Sequence, residues 1–219
     1  GLLTSSRLAV SDFAMVRQSR WREAIASIFD DPDFLPYLHS LRRIAVTYAT
    51  HDETGAPGST NLVKPVYHVA WLISRLGLHV TRPLTPFAEK GGAGVARNRS
   101  VPGTRPVVGR GAGATLSDGR SEIGVIVKPV VSTVPAGTTL RVEILAERRG
   151  SELRADVTAE AETVHVRVWQ DGVETLDRHF LAARRTDVDL LAEAIEAGRR
   201  DRVTVGTLEA AAALIGPPA

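Results

Sequence analysis

The sequence predicts an α+β fold, an antiparallel meander sheet packed by helices with a helical N-terminal region, on three observations. Residues 61–76, NLVKPVYHVAWLISRL, place apolar side chains at steps of three and four, the spacing that lines them along one face of an α-helix. Residues 19–31 do the same with Trp21, Ala24, Ile25, Ile28 and Phe29. Between residues 122 and 181, five strand-like runs follow one another across connections too short for a crossover helix, which calls for antiparallel neighbours. Three segments are expected: a helical and mixed region at 1–82, a Gly/Pro/Arg-rich loop at 83–113, and the sheet with C-terminal helices at 114–219. The first and last are free to share one domain.

Taken in order, the first helix is capped by Ser19 and stopped by Pro32. A short helix over 33–41 buries Phe34, Leu35, Leu38 and Leu41 and leads into a strand at 43–50, where Ile44, Val46 and Tyr48 alternate with Ala45 and Thr47. HDETGAPGST at 51–60 is a polar loop. The helix at 61–76 buries Leu62, Val66, Val69, Ile73 and Leu76. Pro65 fits only its first turn, and Gly77 supplies the left-handed residue that ends it before a short strand at 78–81. Residues 83–113 carry little periodicity, with Lys90, Arg97, Arg99, Arg105 and Arg110 against a single acid, Glu89, and read as a surface excursion or linker. Strands are expected at 122–131, 139–147, 152–158, 163–170 and 173–181. Turn signals separate them at 135–137, 149–151 and Asp171-Gly172, the last a favoured two-residue hairpin turn. Leu140, Val142, Ile144, Val164, Val166 and Val168 form the packed face; Arg141, Glu143, His165 and Arg167 form one that is at least partly wet. Thr186, followed by Asp187 and Asp189, opens a helix to about 197 that buries Leu190, Leu191, Ala194 and Ile195. A last helix at 207–215 ends at Gly216 and Pro217.

Composition excludes more than it assigns. With 43% hydrophobic and 24% charged residues over 219 positions, the chain reads as an ordinary globular protein. Apolar runs fall short of a membrane span and no leader-like start is present, so the expected location is cytoplasmic. The chain begins at Gly1 rather than Met, which points to a portion preceding it. No cysteine is present, which removes disulfides, thiolate nucleophiles, redox switches and cysteine-ligated zinc. A net charge of +2 argues against a general nucleic-acid binder. Of the 27 basic residues only Lys64, Lys90 and Lys128 are lysine, a bias that fits a GC-rich genome.

Catalytic motifs are absent. The glycine runs at 91–96 and 109–114 lack the strand-to-helix context of a phosphate cradle. His39, His51, His68, His79, His165 and His179 are scattered singly, so no metal site is expected from spacing. No G-x-S-x-G is present, and Asp30, Asp31 and Asp33 read as solvated helix-end residues. No cofactor is expected. For Trp21 and Trp71 core packing is the first reading; the second is an aromatic anchor with guanidinium neighbours on a partner-facing side. The residues alone therefore predict a fold class and no function.

A resemblance adds one. SDFAMVRQSRWREAIASIFDDP at 11–32 resembles a segment of the OpcA family, the glucose-6-phosphate dehydrogenase assembly proteins, with Asp12, Phe13, Arg17, Trp21, Arg22 and Glu23 at matching places. VAWLISRLG at 69–77 is similar to the family's second Trp-Arg motif and places Trp71, Leu72, Ser74, Arg75, Leu76 and Gly77. The C-terminal sheet followed by DVDLLAEAIE at 187–196 also looks like the family's end. Met15, Gln18 and Arg20 depart from its usual Trp, Leu and Pro, and the loop at 83–113 has no recognised counterpart. The resemblance implies a non-catalytic assembly factor or allosteric effector that binds glucose-6-phosphate dehydrogenase and promotes its activity in the oxidative pentose phosphate pathway. It makes Asp12, Arg17, Trp21, Arg22, Trp71 and Arg75 the partner-binding candidates. Two other expectations stand beside it: a sugar-phosphate or nucleotide-binding module using Arg97, Arg99, Arg105 and Arg110, and a divergent scaffold protein with another partner.

Overall fold

Strand β1 (Leu41–Thr50) organises the sheet: it pairs in parallel with β5 (Glu122–Val131) on one side and antiparallel with β6 (Thr139–Arg148) on the other. The computed structural model describes residues 12–51, 61–87, 101, 103–107, 111–182, 186–196 and 202–216. Among them the sheet runs β2-β4-β5-β1-β6-β7-β8-β9, with β3 also on β5. The remaining strands are β2 (His79–Phe87), β3 (Arg105–Pro106), β4 (Gly111–Ser117), β7 (Ser151–Ala159), β8 (Thr163–Gln170) and β9 (Val173–Leu181). The described helices are α1 (Phe13–Arg17), α2 (Ser19–Phe29), a 3₁₀ turn at Leu35–His39, α3 (Val63–Leu76), α4 (Asp187–Glu196) and α5 (Arg202–Ile215).

This order corrects the expectation that the runs from 122 onward form one uninterrupted meander. Only β6 to β9 are successive neighbours; β5 and β6 are separated by β1. The turn signal at 135–137 does not close a hairpin but carries the chain past the end of β1, where Gly137 N–H donates to the Ala49 carbonyl and Ala49 N–H to that of Thr138, each at 2.8 Å. The 83–113 segment is corrected in part. Residues 83–87 belong to β2, 105–106 to β3 and 111–113 to β4, while 88–100, 102 and 108–110 lie outside the described residues. Pro83 and Pro86 are compatible with a strand because β2 is an edge, and an edge strand needs only one set of ladder donors.

Helix boundaries shift for local reasons. Asp12 caps α1, its carboxylate accepting from Ala14 N–H at 2.7 Å. Gln18, not Ser19, stands at the start of α2, since α1 runs straight into it. The predicted helix at 33–41 is the shorter 3₁₀ turn, with Leu35 50% exposed and Leu41 already in β1. In α3, Pro65 sits in the first turn and Gly77 ends the helix at φ 63°. Helix α5 begins five residues before the predicted Thr207. Gly206 lies inside it, where an added Cβ would stand 2.5 Å from Ser74 Oγ; the missing side chain lets α5 lie close on α3.

The helices cover one face of the sheet. Helix α3 lies on β1, β5 and β6, α2 on β7, β8 and β9, and α5 on α3 and β2, over a core that includes Ile44, Val46, Val142, Ile144, Val166 and Val168. The other face is drier at its centre than expected. Arg141 and Asp156 are buried, with Arg141 donating to both Asp156 oxygens at 2.7 and 2.8 Å and to Glu143 at 2.8 Å, while Arg43 reaches Glu143 at 2.6 Å. Nearby, Arg154 lies over the Trp169 ring, 4.2 Å from its centre. A buried carboxylate is tolerated there because Arg141 Nη2 bonds both of its oxygens in place of water.

Candidate partner-binding site

The chain enters the site through α1. Gln18 Nε2 donates to the Lys64 carbonyl at 2.8 Å, and the Tyr67 hydroxyl donates to Asp12 at 2.8 Å. These two bonds fasten α1 and the start of α2 to the first turns of α3. The Tyr67 phenol is pushed up to about 12, by burial first and then by the Asp12 carboxylate. Arg17, Arg20, Trp21 and Lys64 are thereby brought to one side of a cavity of about 690 Å³, whose other walls include Ser132, Thr133, Thr138 and Glu160. Lys64 sits below the usual lysine range, chiefly through burial and then through the charge of Arg17. Among the described lining residues three cations and four hydroxyls, those of Thr104, Ser132, Thr133 and Thr138, stand against the one carboxylate of Glu160 and suit an anionic group. Of the cations, Arg17 and Arg20 are also paired with Asp187 and Glu23.

Beside the cavity, α4 rests on α1, and Arg17 forms an ion pair with Asp187 at the start of α4. Thr186 and Asp189 form a reciprocal capping box, Thr186 N–H to Asp189 Oδ2 at 2.9 Å and Asp189 N–H to Thr186 Oγ1 at 3.2 Å. The helix turns only part of its apolar surface inward. Leu190 is fully buried and Ala194 half-buried, but Val188, Leu191 and Ile195 are 75%, 51% and 68% exposed. Their spacing of three and four places them on one outward face. The sequence expectation that Leu191 and Ile195 are buried is thus corrected: α1, only five residues long, covers too little of α4 to bury them.

The predicted site residues separate. Arg17 and Trp21 line the cavity. Asp12 is engaged as the α1 cap and Tyr67 acceptor. Arg22 lies close enough to the buried His68 for its charge to act on that ring, and Trp21 faces the same ring at 5.1 Å between centres. Trp71, 8% exposed, is part of the core cluster. Arg75 is exposed on the last turn of α3, eleven residues from Lys64 and so about 16 Å along the helix axis. Arg105 is exposed on β3; Arg97, Arg99 and Arg110 lie outside the described residues. Sequence reasoning placed Arg20 with Arg17 and Arg22 among the guanidinium neighbours of Trp21; it missed Lys64 and the outer face of α4. Lys64, a rare lysine at a helix start, was the one available signal.

A family model described as the C-terminal domain of the glucose-6-phosphate dehydrogenase subunit OpcA matches residues 8–204. The chain belongs to the OpcA family. No curated protein matches it. The family match of this OpcA chain runs from before Asp12 through the end of α4, so it contains both the cationic cavity and the exposed apolar face. It also ties the chain to glucose-6-phosphate dehydrogenase. Among the described residues, no helix is long and apolar enough to cross a membrane.

Proposed function

We propose that this OpcA-family chain is a non-catalytic cytoplasmic assembly factor or allosteric effector of glucose-6-phosphate dehydrogenase, acting in the oxidative pentose phosphate pathway. The observation that carries the reading, beside the family, is the outward apolar face of Val188, Leu191 and Ile195 next to the Arg17–Asp187 pair and the cavity mouth. Exposed apolar side chains at helical spacing, rimmed by charge, are the composition of a partner-docking helix. An effector of this kind works by binding the active state of the enzyme more tightly than the inactive one and shifting its population.

The test mixes the chain with glucose-6-phosphate dehydrogenase of the same organism and reads a sizing profile alongside the apparent KM for glucose 6-phosphate. We expect a heavier complex and a lower KM, both lost in the double variant Leu191→Glu, Ile195→Glu, which changes only exposed positions. A complex that forms equally well with the double variant would remove α4 from the interface. No complex with the unaltered chain would remove the effector reading.

The cavity favours a second reading, a sugar-phosphate-binding module, because Arg17, Arg20 and Lys64 converge there. Glucose 6-phosphate or NADP raising the melting temperature of the chain alone, and not that of an Arg17→Ala, Lys64→Ala variant, would select it, since a ligand of the native state stabilises that state.

A further inference from the structure

His165 on β8 and His179 on β9 stand directly opposite each other in the antiparallel register. Their rings are stacked with centres 4.0 Å apart and planes 13° from parallel. Glu160, in the connection between β7 and β8, reaches both: its two carboxylate oxygens lie 3.3 Å from His165 Nδ1 and 3.3 Å from His179 Nδ1. Asp177, two residues before His179 on β9, takes the other side of His165, 2.8 Å from Nε2. Thr163 Oγ1 donates to Glu160 at 2.8 Å and holds its carboxyl below the usual range.

This arrangement poses a problem of proton supply. A carboxylate accepting from Nε2–H leaves Nδ1 of the neutral ring as a lone pair, and here that lone pair faces an ionised carboxylate oxygen. A second proton on each ring would set two like charges face to face at the 4.0 Å of the stack; an extra proton on His165 alone satisfies Glu160 and Asp177 but leaves one imidazolium against the neutral His179 ring. A single divalent cation satisfies these acceptors with both rings neutral.

We propose that Glu160, His165 and His179 form a binding site for a zinc-class divalent cation, with Asp177 orienting His165 from behind. One ligand atom from each of the three residues lies within 4.8 Å of the others. Each ring nitrogen stands 3.3 Å from its own Glu160 oxygen, His165 from Oε1 and His179 from Oε2, a spacing that metal–ligand bonds of about 2.0–2.1 Å to one of those oxygens can span. Imidazole nitrogens select zinc and its neighbours over magnesium or calcium, and the Asp177–His165 bond is the carboxylate–histidine pair that fixes a ligating ring. A cation shared by both rings requires them to tilt out of the stack; His179, with half its side chain exposed, has room to do so. Three protein ligands leave a fourth position open. Because Glu160 also lines the cationic cavity, a bound cation would neutralise the one carboxylate among its described lining residues.

The experiment uses the full chain without a histidine tag, stripped with a chelator and titrated with Zn²⁺ by calorimetry. Co²⁺ provides a visible absorption band that reports four-coordination. We expect one tight equivalent, weakened at least roughly tenfold in His179→Ala and in Glu160→Gln, and roughly tenfold in Asp177→Asn, the range for an outer-shell partner. His179 and Glu160 are exposed enough that far-UV circular dichroism should be unchanged. No binding by the unaltered chain overturns the proposal. So does binding that His179→Ala and Glu160→Gln leave intact, since the ion would then sit on the other histidines.

Discussion

At the scale of single residues, His68 carries the sharpest consequence. It is fully buried on α3, and burial first, then the charges of Arg22 and Lys64, push its pKa down from 6.5 to about 3. The unfolded chain binds a proton at this residue as pH falls through 6.5 while the folded chain resists until about 3. The contribution of neutral His68 is therefore complete above 6.5 and is progressively lost below it. Between pH 7.5 and 5.0 this one group should cost roughly 2 kcal/mol of unfolding free energy. Urea titrations at the two pH values should show that loss in the unaltered chain and a correspondingly smaller one in His68→Leu, whatever the variant's absolute stability. An unchanged difference would mean that His68 is solvated or protonated in the native state.

At the scale of elements, the turn between β5 and β6 positions the start of α3. Gly137 has φ 79°, and a Cβ there would come within 2.4 Å of the Asn61 carbonyl and 2.8 Å of its Cβ. Asn61 in turn accepts from Val63 N–H at 3.0 Å, at the start of α3. Gly137→Ala should therefore move the first turn of α3, including Lys64, and cost about 2 kcal/mol or more. The left-handed backbone alone accounts for about 1–2 kcal/mol of that. Gly150 has φ 84° with no atom within 4 Å of an added Cβ, so Gly150→Ala isolates the backbone cost and should be the milder of the two. Equal denaturation midpoints for the two variants would show that the Asn61 contact yields without penalty. Two of the three hairpin turns of β6 to β9 were readable beforehand from their glycines: Asp171 at φ 51° with Gly172 at φ 83° uses residues that tolerate this region, while at the other Gly150 at φ 84° follows Arg149, held at φ 53° against its own preference. The bridging role of 135–137 was not, because the same turn residues serve either connection.

At the scale of the whole molecule, β1 joins what the sequence divides. Residues 41–50 pair on both sides with strands from beyond residue 121, so neither half of the sheet is complete without the other. We expect the full chain to unfold in one transition seen alike by tryptophan fluorescence and far-UV circular dichroism. Residues 101–219 expressed alone, with β5 and β6 deprived of their shared partner, should lack a cooperative transition. Two separated transitions in the full chain would show that the halves fold independently. What the sequence determined by itself was much of what neighbours along the chain set: the α+β class, the helix closed by Gly77, and the spans of β1 and of β5 to β9 with their alternating faces, because periodicity and turn chemistry act over a few residues; β3, β4 and most of β2 lay in a stretch without periodicity. Only the tertiary structure decided that β1 lies between β5 and β6, that Arg141 and Asp156 are buried together, that Trp71 belongs to the core while Trp21 borders a cavity, and that two isolated histidines share one carboxylate. Those facts depend on which distant surfaces meet, and the free energy of that meeting belongs to packing across the sheet and to no local stretch of chain.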